Sequence, residues 1–222
     1  MPPIDELVHL FKQHQKTENA VPMKAYMKDN FEFLGIKATQ RRDLFNTWYA
    51  QNKKSIQDNF RAYTLVLFVQ PYREFHYCGM ELFYKAVKKK YLPEDIHLIE
   101  HLIITHSWWD SVDFIAKYLL GGYLKQFPET IPSVIERFSA APSLWLNRSG
   151  ILFQLGYKAQ TDFDLLKAEC YNHKDSKEFF IQKAIGWALR DYNRFNPNGV
   201  RDFVENTDLK PLSKREALRN LP

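Results

Sequence analysis

Trp109 and Asp113 stand four positions apart in the stretch THSWWDSVD, Thr105–Asp113. On a helix that spacing stacks an indole and a carboxylate on one face. A carboxylate supplies full negative charge, and the face of an indole attracts cations through its quadrupole. Together they favour a positive group, or one that becomes positive in a transition state. A sugar turning into an oxocarbenium ion as its glycosidic bond breaks is such a group. The plainer reading of the same residues is an amphipathic surface tryptophan over a solvated aspartate. Two further positions fit the first picture. Arg148, early in the helical pattern SLWLNRSGILFQLGYK, carries a fork-shaped guanidinium suited to gripping a phosphate, or else to an ordinary ion pair. Trp187 follows Gly186 in SKEFFIQKAIGWALRDY, where the glycine is expected to leave room beside the indole; core packing is the alternative.

Other constellations carry less. His97, Glu100 and His101 form HLIEH, a metallopeptidase-like pattern with two histidines one helical turn apart, but no third ligand has a signature, and no metal is expected. Cys78 and Cys170 are far apart and in no CxxC pattern, which suits a reducing compartment. There is no glycine-rich phosphate loop, so no nucleotide is expected, and no redox cofactor has a motif. No apolar run reaches the length of a membrane span, and the polar, early-acidic N-terminus is not a signal peptide, so a cytoplasmic protein is expected. The net charge of +5 is compatible with an anionic partner without requiring one.

The elements that must position these residues are helical. Only 8 glycines punctuate 222 residues, and the apolar period is 3.6 almost throughout. Apolar stripes over Glu94–Thr105, Leu144–Tyr157 and Ser176–Phe195 predict helices, the last buried over a wide arc. Ser55, Ser107, Ser133, Thr161 and Ser213 each precede an acid by three residues, which predicts capping boxes at five helix starts, with Asp110 completing the one at Ser107. About a dozen helices with short loops and no linker predict one all-α domain over 1–222. Stacked helix pairs of the HEAT or armadillo kind suit this pattern; a globular bundle is the alternative.

THSWWDSVD, SLWLNRSGILFQLGYK, SKEFFIQKAIGWALRDY and LSKREAL, together with the N-terminal MKAYMKDNFEFLGIKATQRR, occur in the order and spacing of the AlkD family of DNA alkylation-repair glycosylases, which the chain resembles from about Met23 to about Arg219. The resemblance implies a HEAT-like helical-repeat solenoid with a concave DNA-binding face. It implies excision of cationic alkylated purines, 7-methylguanine and 3-methyladenine, from duplex DNA without base flipping. It also implies Asp113 as catalytic carboxylate, Trp109 and Trp187 as aromatic walls at the lesion sugar, Arg148 on a backbone phosphate and Tyr26 reaching DNA. Lys37 stands where the resemblance implies glutamine. Arg41, Arg42, Lys158, Arg190, Lys214 and Arg215 are the remaining expected phosphate contacts, with the helix starts at Ser107, Ser176 and Ser213 adding backbone N–H groups. Lys88–Lys90 reads as a solvated basic run. A monomer is expected, nucleoid-associated when on DNA. The rival readings are a non-enzymatic DNA-binding solenoid, a protein-binding helical scaffold and, on HLIEH, a metallopeptidase.

Overall fold

The computed structural model describes residues 3–88 and 90–219, so Lys89 of the basic run lies outside the described residues. Among these, regular structure is helical, apart from an isolated bridge between Glu32 and Tyr72. The architecture is all-α, as the 3.6-residue period predicts, and of the helical-repeat kind that the resemblance implies. The chain groups into two compact units, Met1–Lys88 and Lys89–Pro222.

The first unit holds α1 (Pro3–Gln13), α2 (Thr17–Tyr26), α3 (Ala38–Gln51), α4 (Lys53–Phe68) and α5 (Arg73–Val87). Helices α4 and α5 form an antiparallel pair, and their contacts run in opposite order along the two helices. Gln57 donates to the Ala86 carbonyl (3.2 Å), Phe60 meets Phe83 (centroids 5.4 Å apart), and Phe68 stacks on His76 (5.6 Å). Gly79 permits this closeness, because a Cβ there would lie 2.8 Å from the Phe68 ring. Helix α1 buries Ile4, Leu7 and Phe11, and Phe11 stacks on Phe75 of α5. The loop before α3 is tied down by Glu74, which is fully buried. Its carboxylate accepts from the backbone N–H groups of Leu34 (3.1 Å), Gly35 (2.9 Å) and Ile36 (3.1 Å). Gly35 sits at φ 84°, and a side chain there would run into the Lys16 carbonyl. Cys78, on α5, is fully buried with its Sγ 3.8 Å from the Arg41 guanidinium.

The second unit begins with α6 (Asp95–Ile104) and α7 (Trp109–Phe114). Helix α7 runs without a break through a π-helical segment, Ile115–Leu120, into α8 (Gly121–Gln126). Then come α9 (Ile131–Ser139), α10 (Leu144–Leu152), α11 (Phe163–Asn172), α12 (Phe179–Asn193), α13 (Pro197–Asn206) and α14 (Pro211–Ala217). Ile151, Leu155, Leu166, Cys170, Ile181, Ile185, Leu189 and Val204 build its core. Asn147 ties α9 to α10 by donating to the carbonyls of Phe138 (2.8 Å), Ser139 (3.0 Å) and Ala141 (3.0 Å).

The five capping boxes do not form. Ser55, Ser133 and Ser213 lie inside helices, and Ser213 donates to the Gln182 carbonyl instead. Asp162, one residue past Thr161, caps α11 by accepting from Leu165 N–H (3.0 Å). Ser107 donates to the Ile103 carbonyl (2.6 Å), and Trp108 takes the N-cap position of α7. A hydroxyl that finds a stronger local acceptor leaves the cap. Helix α12 begins at Phe179 rather than Ser176, so the three serine-marked starts expected to face phosphate are not helix starts.

Candidate functional site

Trp109 opens α7, and Asp113 follows one turn later on the same short helix. From the middle of α10, Arg148 reaches Asp113 with both prongs of its guanidinium. Nε donates to Oδ1 (2.7 Å) and Nη2 to Oδ2 (2.9 Å). Nη1 donates to the carbonyl of Phe180, in the first turn of α12. One guanidinium thus joins α7, α10 and α12. The Arg148 side chain is 5% exposed and that of Asp113 15%, so this is a bidentate pair between a buried guanidinium and a part-buried carboxylate. Burial pushes the Asp113 carboxyl above its ordinary range; the hydrogen bonds and charge of Arg148 pull it back, and Asp110 adds a small upward push.

Aromatic rings wall the pair. Trp108 meets the edge of Phe180 (centroids 5.2 Å apart) and tilts against Trp145 (5.7 Å), and Trp145 lies 5.1 Å from Phe180. The Arg148 guanidinium carbon is 5.9 Å from the centre of the Phe180 ring. Trp108 Nε1 is buried without a hydrogen-bond partner. Sequence reasoning missed Trp145 and Phe180. Their signal was present: Trp145 precedes Arg148 by three positions, on the same helix face. Trp187 lies on the face of α12 that carries Phe180, about 10 Å along the axis at helical rise. It is half-buried against the core of the second unit. The space at Gly186 does not serve its indole. A Cβ there would strike Glu216 and come within 2.9 Å of the Ser213 carbonyl, so the glycine lets α14 approach α12.

The expected phosphate contacts divide. Arg148 turns inward, onto Asp113. Arg41 is 4% exposed and paired with Glu81 (2.6 Å), which leaves it no surface to offer a phosphate. Arg190 is held by Glu216 (2.8 Å). Arg42 is exposed, with Glu81 at 3.8 Å, and Lys37, Lys158 and Arg215 are exposed, with Lys214 half-buried. Tyr26, in the first unit, is 67% exposed. In HLIEH, Glu100 is engaged by Arg137, and among the described residues no three His, Cys, Asp or Glu side chains are grouped to hold a metal. No helix of the described residues is long and apolar enough to cross a membrane.

The chain has counterparts among known proteins. It belongs to the DNA alkylation repair enzyme family, whose model matches residues 7–221. A solved structure described as a predicted DNA alkylation repair enzyme from Enterococcus faecalis is 31% identical, with a TM-score of 0.82 over 93% of this chain and 96% of that one. The smu.31 protein of Streptococcus mutans UA159 shares the fold at 13% identity, with a TM-score of 0.59 over 83% of this chain and 98% of that one. The comparison with curated proteins gives no match. Family membership gives this chain a role in DNA alkylation repair, with DNA as its substrate.

Proposed function

We propose that this protein is a monofunctional DNA glycosylase that hydrolyses the N-glycosidic bond of cationic alkylated purines in duplex DNA. The observation that carries the reading is the Asp113 carboxylate, part-buried, held in both oxygens by Arg148 and one turn from Trp109. N-alkylation places a positive charge on the purine. The base then departs as a neutral molecule, taking the electron pair of the glycosidic bond, and needs no general acid. Positive charge passes to the sugar, where Asp113 stabilises the oxocarbenium ion and orients the water that adds to C1′. The added water loses its proton to bulk solvent, and an abasic site remains. Trp109 and Trp187 contribute cation–π attraction from the aromatic side. A preorganised charge of this kind is worth about 10²–10³ in rate, enough for a bond already weakened by alkylation. Neutral lesions such as hypoxanthine are therefore poor substrates in this scheme. Approach from the sugar and backbone requires no base flipping, and 7-methylguanine and 3-methyladenine are both substrates.

Release of 7-methylguanine from methylated duplex DNA tests the reading, with Asp113→Asn compared at matched DNA affinity. Release by the wild type and a loss of at least 10²-fold in the variant is the expected result. DNA binding without release by the wild type would leave a non-enzymatic DNA binder.

A further inference from the structure

The helix that carries Asp113 contains an irregularity at its centre. Over 109–126 the buried residues other than Gly121, which has no side chain, come in pairs: Ser111 and Val112, Ile115 and Ala116, Leu119 and Leu120, Tyr123 and Leu124. The repeat is four residues. A straight α-helix drifts by about 40° for every four residues, so three repeats would turn the stripe by about 120°. The π segment takes up that drift. Ile115 N–H still bonds four residues back, to Ser111, but Gly121 N–H bonds five back, to Ala116. The wider turn keeps the stripe on one face, and Asp113, two residues before it, meets Arg148 of α10. π turns are rare and need support.

Two phenols from outside the helix give that support. Tyr91, before α6, donates its hydroxyl to the Tyr118 carbonyl (3.2 Å), inside the π segment. Tyr157, past the end of α10, donates to the Gly121 carbonyl (2.5 Å), at the segment's end. Gly121 and Gly122 clear the approach. A Cβ at 122 would lie 2.5 Å from the Tyr91 hydroxyl oxygen, and one at 121 would lie 2.5 Å from the Phe153 carbonyl oxygen and 3.4 Å from the Tyr157 ring. We infer that Tyr91 and Tyr157 are positioning residues for Asp113: their hydroxyls hold the π turn whose register presents the carboxylate to Arg148. The catalytic consequence rests on the glycosylase reading; the geometric one does not.

The test is the Arg148 Nε–Hε resonance in ¹H–¹⁵N spectra, assigned by its loss in Arg148→Lys. In the wild type it is protected by the Asp113 carboxylate. In Tyr91→Phe/Tyr157→Phe its exchange with water accelerates at least tenfold, and 7-methylguanine release falls at least tenfold at unchanged DNA affinity. Tyr123→Phe is the control. Its hydroxyl donates to the Pro93 carbonyl (2.9 Å) from the same helix without touching the π turn, so both readouts stay at the wild-type level. Should the double variant not fold, each single variant is read in its place, with a smaller acceleration expected. A folded variant with a fully protected Arg148 signal overturns the inference, as does equal loss of protection in Tyr123→Phe. A wild type that releases no 7-methylguanine defeats the glycosylase reading alone, since the resonance still reports on the register.

Discussion

Replacing Arg148 by lysine separates two jobs that an arginine at a DNA-processing site could have. The guanidinium donates to both Asp113 oxygens, at 2.7 and 2.9 Å, and to the Phe180 carbonyl. An ammonium keeps the charge but has no planar fork, so it serves one carboxylate oxygen and abandons the second together with Phe180. A hydrogen bond to a charged group contributes about 1.5–3 kcal/mol. With two weakened and the side chains partly relaxing, about 3 kcal/mol of positioning is lost, and 1.36 kcal/mol per decade makes that about 10² in rate. The assay is single-turnover release of 7-methylguanine with enzyme in excess, beside DNA affinity at the same salt. The single-turnover rate constant falls about 10²-fold while affinity changes by less than about threefold, the pattern of an interaction that acts in the transition state. The acid limb of the rate profile also moves to higher pH, because Arg148 is the group that pulls the Asp113 carboxyl down. A wild-type rate with an unmoved limb would refute the reasoning. A loss confined to affinity, with the saturating rate intact, would return Arg148 to the phosphate.

Three further outcomes are expected. Burial raises the folded-state pKa of Asp113, and the proposed mechanism needs the ionised form, so release is expected to decline, as pH falls, earlier than an ordinary aspartate would dictate; a pH–rate profile checks this, and in Asp113→Asn that limb is expected to be absent. Glu169 is buried, its Oε2 lacks a hydrogen-bond partner, and burial raises its pKa. The stability linked to its proton is therefore present below the unfolded-state pKa and is lost as pH rises through the folded one. Glu169→Gln accordingly gains about 1 kcal/mol at pH 7 and nothing near pH 4 in urea melts, and destabilisation at pH 7 would contradict this. Gly35→Ala forces a side chain onto a left-handed backbone and into the Lys16 carbonyl, at a cost of about 3 kcal/mol by urea denaturation.

The helical class was legible because the apolar period is local, and Trp109 with Asp113 because one helix turn holds both. The Asp113–Arg148 pair was not, because 35 positions of chain separate its members and only the packing of α7 on α10 brings them together. Arg148 read as a phosphate ligand from its forked guanidinium and the family resemblance, with an ordinary ion pair as the alternative. Its apolar neighbours Trp145, Ile151 and Leu152, at helical spacing, were the sign that it faces inward. Serine–acid spacing overstated the caps, because a hydroxyl reaches carbonyls that the spacing does not display, as Ser107 does at Ile103 and Ser213 at Gln182. Gly186 showed that a close approach was needed, but not that α14 is what approaches. The four-residue repeat that marks the π turn was also in the sequence, masked by its nearness to 3.6.

The two cysteines have a chemical consequence in a protein of alkylation repair. Soft electrophiles attack thiolates, and neither side chain offers one. Burial pushes the Cys78 thiol up to about 12, with Arg41 opposing the rise, and burial also raises Cys170. Both side chains are fully buried, so neither sulfur is exposed to solvent. Both sulfurs are thereby kept from the methyl donors whose damage to DNA calls for repair.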